Sequence, residues 1–384
     1  MRIIHTADWH LGRILFGVHL TSDQEFLLDR LFDIIKESEA TALFIAGDIY
    51  DRAVPPPEAV RLLDDFLSRV IDDLAIPVVV IAGNHDSPDR LGFASRILET
   101  RGLFVRGPAS TSVWVTDLGD EHGPVSIYAL PFAEPSVVRE VLDDQDLMDH
   151  QRAMAERIAR IQKDMNKKQR SILVAHAFVA GSEESESERP LAVGGSAAVD
   201  SDLFACFDYV ALGHLHRSQK AGNDCIRYSG SLMPYSFSES RYEKSVNLVT
   251  LGAKGHCEVK PIPLVPRRRL RIIEGFMDEI LKGPGPDENP DDYIQVSLWD
   301  TTPILDALGR LRQIYPNLLH IERPHLIRDG ALSGHKGDHR KMGDKELFAA
   351  FYKEVTGQSL SPSMETSYTD IVNALYLKNR EAGV

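Results

Sequence analysis

Along the chain, apolar and polar positions fall into two alternating patterns. The first is a short unbroken apolar run that stops at glycine or a polar residue. Leu43 to Ala46 before Gly47-Asp48 is the clearest, and Val78 to Ala82 before Gly83-Asn84-His85-Asp86 repeats it. Ile172 to Ala175 before His176, Tyr209 to Leu212 before Gly213-His214, and Ile3-Ile4 before Asp8-Trp9-His10 do the same. Such runs predict strands covered on both faces, as in a parallel sheet flanked by helices. The second pattern spaces apolar residues three and four apart. Leu27, Leu31, Ile34 and Ile35 predict one helix with a buried face, and Val60, Leu63, Leu67, Val70 and Leu74 a second. Thr21 to Gln24 has the spacing of a capping box, and Pro55-Pro56-Pro57-Glu58 suits a helix start. A further strand is expected over Val125–Pro131 and a polar helix from Pro135 to Lys168. Strand and helix alternating in this way predict an α/β architecture.

The pattern changes near Pro261-Ile262-Pro263-Leu264-Val265-Pro266, where three prolines in six residues make a stiff crossing. Residues 270–323 read strand, helix, loop, strand, helix, strand, a small α+β unit. Ile294 to Leu298 alternates like a half-exposed strand, and Thr302-Pro303 suits a helix cap followed by proline. Residues 328–344 are polar and rich in glycine and histidine, which predicts a linker; Gly334 and Gly337 break the helix that His335 and His339 would need to share a metal. Two amphipathic helices follow, one carrying Leu347, Phe348, Phe351, Tyr352 and Val355, the other Tyr368, Ile371, Val372, Leu375 and Tyr376. Aromatics at helical spacing usually form core, but two short helices beyond a linker have little core of their own and suit a partner's groove. The expected organisation is 1–265, 266–327 and 328–384.

Composition narrows the class. At 384 residues and 43% hydrophobic, the chain has room for two or three domains. No stretch approaches the ~20 apolar residues of a membrane span, and the chain enters a strand at once without a secretion signal, so a cytoplasmic location is expected. Cys206, Cys225 and Cys257 lack metal-type spacing and predict free thiols in a reducing compartment. A net charge of −14 excludes holding nucleic acid mainly by the overall field, so a phosphate substrate needs a local device. Arg267, Arg268, Arg269 and Arg271 form the one dense basic cluster, either solvated or in contact with a DNA backbone.

The candidate chemistry lies at the strand ends. Asp8 and His10 are two apart, as are His214 and His216, and in extended backbone each pair points to one side. Each motif alone has an ordinary reading: Asp48 as a turn cap, Asp8 and His10 as loop decoration, His176 as a structural histidine. In order, however, Asp-x-His, Gly-Asp, Gly-Asn-His-Asp, a strand-end His and Gly-His-x-His resemble the metallophosphoesterase superfamily from residue 1 to about 230. That resemblance implies a calcineurin-like β-sandwich flanked by helices, with two divalent metals. It implies Asp48 as the bridge between them, Asp8, His10 and His216 completing one site, and Asn84, His176 and His214 the other. It further implies that His85 faces the scissile phosphate without binding metal, and Asp86 is the candidate to orient its ring. Mixed imidazole and oxygen ligands suit manganese, iron or zinc better than magnesium, and manganese is the expected metal.

Within the superfamily, Ser187-Glu188-Arg189-Pro190-Leu191-Ala192-Val193-Gly194-Gly195, Asp8 to Gly12, Gly213 to His216 and Tyr228-Ser229-Gly230-Ser231 resemble SbcD-like nucleases. The glutamates from Glu183 to Glu188 read as a solvated acidic loop. The resemblance implies a DNA exonuclease acting on double-stranded ends and an endonuclease acting on single strands and hairpins. It implies an α+β capping domain and terminal helices that grip an SMC-like ATPase, SbcC. It also implies a homodimer within a two-plus-two complex. The alternatives are a small-substrate phosphodiesterase or phosphatase, and a non-catalytic scaffold. Scaffolds of this type tend to lose a ligand or the histidine at position 85, and none is missing here.

Overall fold

The computed structural model describes residues 1–191, 197–253, 256–286, 288–302, 304–324, 348–349, 352–353, 356 and 359–369. They belong to two units, Met1–Leu270 and a second from Arg271 onward. The strands of the first are β1 (Arg2–Thr6), β2 (Ile14–Leu15), β3 (Val18–His19), β4 (Ala42–Ile45), β5 (Val78–Ile81), β6 (Leu103–Arg106) and β7 (Val115–Asp120). They continue with β8 (Gly123–Leu130), β9 (Arg170–His176), β10 (Tyr209–Gly213), β11 (Gln219–Ala221), β12 (Asn223–Tyr228), β13 (Ser245–Leu251) and β14 (Cys257–Pro263).

Two six-stranded sheets result, ordered β14-β13-β1-β4-β5-β6 and β11-β12-β10-β9-β8-β7. β1, β4, β5 and β6 run parallel, as do β8, β9, β10 and β12. One apolar core joins the sheets: Ile3, Phe44, Val79 and Ile81 on one side meet Ile127, Ile172, Val174 and Tyr209 on the other. Each such side chain taken fully from water stabilises the fold by about 1.5–3 kcal/mol. Intervening residues turn outward, and Val80 lines an apolar hollow with Leu63 and Leu67 of the helix Pro57–Arg69. The apolar runs are therefore covered by helix on one face and by the second sheet on the other, not by helices on both. Either cover excludes water, so an unbroken apolar run does not distinguish them.

The outer face of the second sheet packs Leu173, Val210 and Leu212 against Met154, Ile158 and Ile161 of the helix His150–Asp164. The expected single helix over 135–168 is two, Pro135–Leu142 and His150–Asp164, because the chain turns left-handed at Asp143 and restarts on Asp149, which caps Arg152 N–H at 2.8 Å. The helix Thr21–Glu37 starts after Leu20 with no side-chain cap, so the capping box is not formed.

The second unit holds β15 (Leu270–Gly275), β16 (Tyr293–Leu298) and β17 (Leu318–Glu322) in that sheet order, with short helices Met277–Ile280 and Ala307–Arg312. Met277, Ile280, Ile294, Val296, Leu298, Leu311 and Tyr315 form its core. β16 is central, so Gln295 and Ser297 are buried as well, where alternation predicts exposure. The helix expected at Thr302 begins at Ala307, capped by Asp306, which accepts from Gly309 N–H at 3.2 Å.

The expected linker, together with Leu347, Phe351, Val355, Ile371, Val372, Leu375 and Tyr376, lies outside the described residues, as do Ala192 to Gly195. Phe348 and Tyr368 stack, with centroids 4.3 Å apart. The three cysteines are free thiols. Among the described residues, no helix is long and apolar enough to cross a membrane.

Candidate metal centre

β1 and β4 end side by side, and their loops stay joined beyond the sheet. Asp8 N–H donates to the Gly47 carbonyl at 3.0 Å, His10 N–H to the Asp48 carbonyl at 3.0 Å, and Leu11 N–H to the Ile49 carbonyl at 2.9 Å. Asp8, His10, Asp48 and His214 all take positive φ, at 54°, 45°, 51° and 111°. Non-glycine residues rarely adopt that region, and clusters of them mark functional sites. The side chains of Asp8 and His10 thus converge through left-handed turns past the end of β1, not through the alternation of an extended strand. Trp9 between them goes the other way, edge-on to Phe66 at 5.2 Å.

Asp8, His10 and His216 bring their ligand atoms within 4.8 Å of one another, and so do Asp8, Asp48 and His176. Asp48 lies at the centre: its Oδ2 is 3.8 Å from His10 Nε2 and 3.6 Å from His176 Nε2. Asn84 Oδ1 is 2.9 Å from His176 Nε2. His214 is held by its N–H, which donates to the Asp8 carboxylate at 2.9 Å, and its ring centroid is 5.5 Å from that of His176. All these groups except the partly buried Asn84 are almost sealed from solvent.

The donor set fits divalent cations, and the hydrogen bonds say why. His176 Nδ1 donates to the Ala46 carbonyl at 2.8 Å, so Nε2 presents a lone pair to the carbonyl oxygen of Asn84. Two acceptors then face each other, an arrangement that a cation between them resolves. His10 and His216 set Nε2 3.0 Å from Nε2, two nitrogens able to ligate metal side by side. Burial, helped by the neighbouring imidazoles, holds His10 and His214 well below the ordinary histidine range, and burial lowers His176 despite Asp48. Burial and the Asp48 charge raise Asp8 well above the carboxylate range, although the His214 N–H and the Lys244 charge act the other way.

His85 lies at the partly exposed edge, its ring centroid 4.7 Å from that of His10. Its backbone N–H donates to Asp48 Oδ1 at 2.8 Å, and its Nδ1 to the Asp51 carbonyl at 2.9 Å. Asp86, expected to orient this ring, does not. Its carboxylate accepts from Gly83, Tyr50 and Ile49 N–H at 2.9, 2.9 and 3.1 Å, tying the loops after β4 and β5 together. Burial and the Asp48 charge push Asp86 up to about 7.

Three glycines let the strand ends meet. Gly47 is left-handed, with φ at 91°, and a Cβ there would overlap His176 Nδ1. A Cβ at Gly83 would overlap the Asp48 carboxylate, and one at Gly213 would overlap the Ala46 carbonyl and sit 2.8 Å from His176 Nδ1. Gly213→Ala is therefore expected to cost about 1–3 kcal/mol, since overpacking a rigid interior forces backbone shifts. Thermal unfolding measures it, and an unchanged midpoint would contradict this close approach.

Several supports were invisible in the sequence patterns. Gln24 is wholly buried; its amide donates to the His10 carbonyl at 2.8 Å and accepts from Gly12 N–H at 3.0 Å, fixing the loop after β1. Arg13 pairs with Asp51 at 2.7 Å beside His10 and His85. Glu188 is not solvated like its neighbours Glu183, Glu184 and Glu186, for it accepts from His216 N–H at 2.7 Å. Of the basic cluster, Arg267 and Arg268 hold buried Asp23 at 3.4 and 3.0 Å, and Arg271 pairs with Asp292 and Glu288, each at 2.8 Å. A buried carboxylate needs such partners, so these charges have structural uses.

A β-sandwich with these residues gathered at its strand ends is the architecture of a phosphoesterase. Residues 1–218 match the calcineurin-like phosphoesterase family, and residues 266–356 match the type 5 capsule protein repressor C-terminal domain. The chain is 34% identical over 380 residues to the SbcD component of the SbcCD nuclease of Staphylococcus saprophyticus, covering 98% of each protein. It is 34% identical over 361 residues to the component of the same name from Staphylococcus epidermidis, covering 94% of this chain and 95% of that one. A dimetal phosphatase from Danio rerio is similar over 69% of this chain and 96% of its own, at 12% identity and a TM-score of 0.43. The chain belongs to the SbcD family of calcineurin-like phosphoesterases.

Proposed function

We propose that the chain is the manganese-dependent nuclease component of a larger complex, cleaving DNA phosphodiesters at double-stranded ends and in single strands and hairpins. The observation that carries this reading is the position of Asp48 Oδ2, 3.8 Å from His10 Nε2 and 3.6 Å from His176 Nε2. A carboxylate set between two groups of donors would suit a bridge between two metal ions. Asp8, His10, Asp48 and His216 would hold one ion, and Asp48, Asn84, His176 and His214 the other. When bound, such a pair supplies an activated water and offsets charge on the phosphate during in-line displacement. The protein's own part is to hold these donors dry and fixed. His85, its Nδ1 proton engaged by the Asp51 carbonyl, is left with Nε2, and with a second proton there the ring would donate to a phosphate or a leaving oxygen. Hydrolysis of a linear duplex and a single-stranded circle with manganese tests the reading. Both are expected to be cut, and a chelator to stop both. Cleavage of a simple aryl phosphodiester alone would move the assignment to a small-substrate enzyme.

Residues 266–327 act in this reading as a capping domain that helps choose the DNA, and the terminal helices bind the coiled-coil base of an SMC-like ATPase, SbcC. Two copies of each protein would assemble. The names of the staphylococcal relatives, each one component of a larger nuclease, support a partner of this kind. A chain ending at residue 340 is expected to keep metal-dependent nuclease activity and lose the ATPase. Co-purification measures this, and undiminished binding would remove the helices from the interface.

A further inference from the structure

Glu239 and Lys244 form an ion pair inside the first unit, outside every motif that the sequence singles out. Their side chains are 1% and 3% exposed, and Nζ lies 2.6 Å from Oε2. Buried ion pairs are weak sources of stability, because desolvating both charges consumes most of their attraction. Several further contacts of this pair lead to one residue, His216, beside those that Glu239 makes with Tyr235 N–H and the Ser236 hydroxyl. Lys244 Nζ donates to the His216 carbonyl at 2.6 Å and to Ser231 Oγ at 2.9 Å. Glu239 Oε1 is 3.4 Å from His216 Nδ1 and accepts from the hydroxyls of Ser185, at 3.2 Å, and Ser187. Ser187 Oγ in turn is 2.5 Å from the same Nδ1.

Counting hydrogens fixes the direction of this relay. A carboxylate only accepts, so the single hydroxyl hydrogen of Ser187 goes to Glu239. Toward His216 the Ser187 oxygen can then only accept, which places a proton on Nδ1. His216 Nε2 is left as a lone pair, on the side where His10 Nε2 stands 3.0 Å away. Carboxylates that orient metal-binding histidines in this way, directly or through another group, typically change metal affinity about 10–100-fold when removed.

We propose that Glu239 is a positioning residue that, through Ser187, locks His216 in the tautomer and orientation that offer Nε2 to a metal ion. Lys244 holds both Glu239 and the His216 backbone in register. This rests on the reading of His216 as a metal ligand. It also gives Ser187, in the loop whose sequence marks the family resemblance, a specific task.

The test titrates the full chain with manganese alone by calorimetry, alongside nitrogen-15 NMR of the His216 ring. In Glu239→Gln, one of two manganese sites is expected to weaken about 10–100-fold and the His216 Nδ1–H signal to be lost or shifted. That variant leaves Lys244 buried without a counter-charge, so Glu239→Gln/Lys244→Met is measured with it. The double variant, which still lacks the Lys244 donor to the His216 carbonyl and Ser231, is expected to regain part of the melting midpoint while the manganese affinity stays low. If affinity returns together with the midpoint, the pair is merely structural and the proposal falls. Unchanged affinity and tautomer in both variants overturn it as well, while leaving the metal centre intact. A parent chain that binds no manganese, or His216→Ala that keeps both ions, would instead remove the reading on which it rests.

Discussion

Asp48→Asn is expected to abolish DNA hydrolysis and to weaken manganese binding at both positions together. The amide keeps the size of the carboxylate and an oxygen for the His85 N–H, which Asp48 Oδ1 now accepts at 2.8 Å, so the loops need not move. What is lost is the negative charge facing both His10 and His176. Two unit charges about 4 Å apart interact by about 4 kcal/mol at an effective dielectric of about 20, and a divalent ion by more, so affinity for each ion is expected to fall at least about a thousandfold. Asp8→Asn is the matched control. Asp8 would hold only the ion shared with His10 and His216, and the amide oxygen of asparagine can still accept the His214 N–H, so its loss is expected to fall chiefly on the His10 and His216 side. Manganese titration by calorimetry separates the cases: two tight sites in the parent, none in Asp48→Asn, and one in Asp8→Asn. A full-strength site surviving in Asp48→Asn would show that the carboxylate does not bridge.

How far such a site can be read from sequence depends on which physical signal each residue leaves. β4, β5, β9 and β10 announce themselves because burial on both faces removes polar residues from the run, and each ends in the group it delivers. What lies on the covered face leaves no such mark, so a second sheet reads like a layer of helices. Local geometry is equally silent: the left-handed turns at Asp8, His10 and Asp48 give the convergence that strand spacing suggests, by another route. Short-range spacing also misleads where a long-range partner wins. Gln24 sits where a capping box would use it, yet the buried loop carbonyls after β1 need its amide more. Asp86 adjoins His85 in sequence but is drawn to the three backbone N–H groups of Ile49, Tyr50 and Gly83. Glu188 and Glu239 belong to no chemical motif, since their roles depend on contacts with His216 that cross 28 and 23 residues.

His85→Leu is expected to lower DNA hydrolysis by about two to four orders of magnitude while both manganese ions still bind, the size expected when one positioned acid–base group is lost. Two features of the structure make the outcome informative. The backbone N–H of His85, not its ring, contacts Asp48, and leucine retains that N–H, so the bridge between the donor groups keeps its hydrogen bond. The ring, however, also gathers with His10 and Asp51 within 4.8 Å, and His10 Nδ1 in that cluster is buried without a hydrogen-bond partner. If His85 serves substrate, leucine leaves the manganese titration unchanged and removes turnover. If instead it completes a cation site with His10 and Asp51, leucine removes or weakens one ion, and metal and activity fall together. The Nδ1 bond to the Asp51 carbonyl fixes the ring, and its place at the partly exposed edge, where the other histidines of the cluster are sealed, favours the role toward substrate. Retained metal with lost cleavage is the expected result.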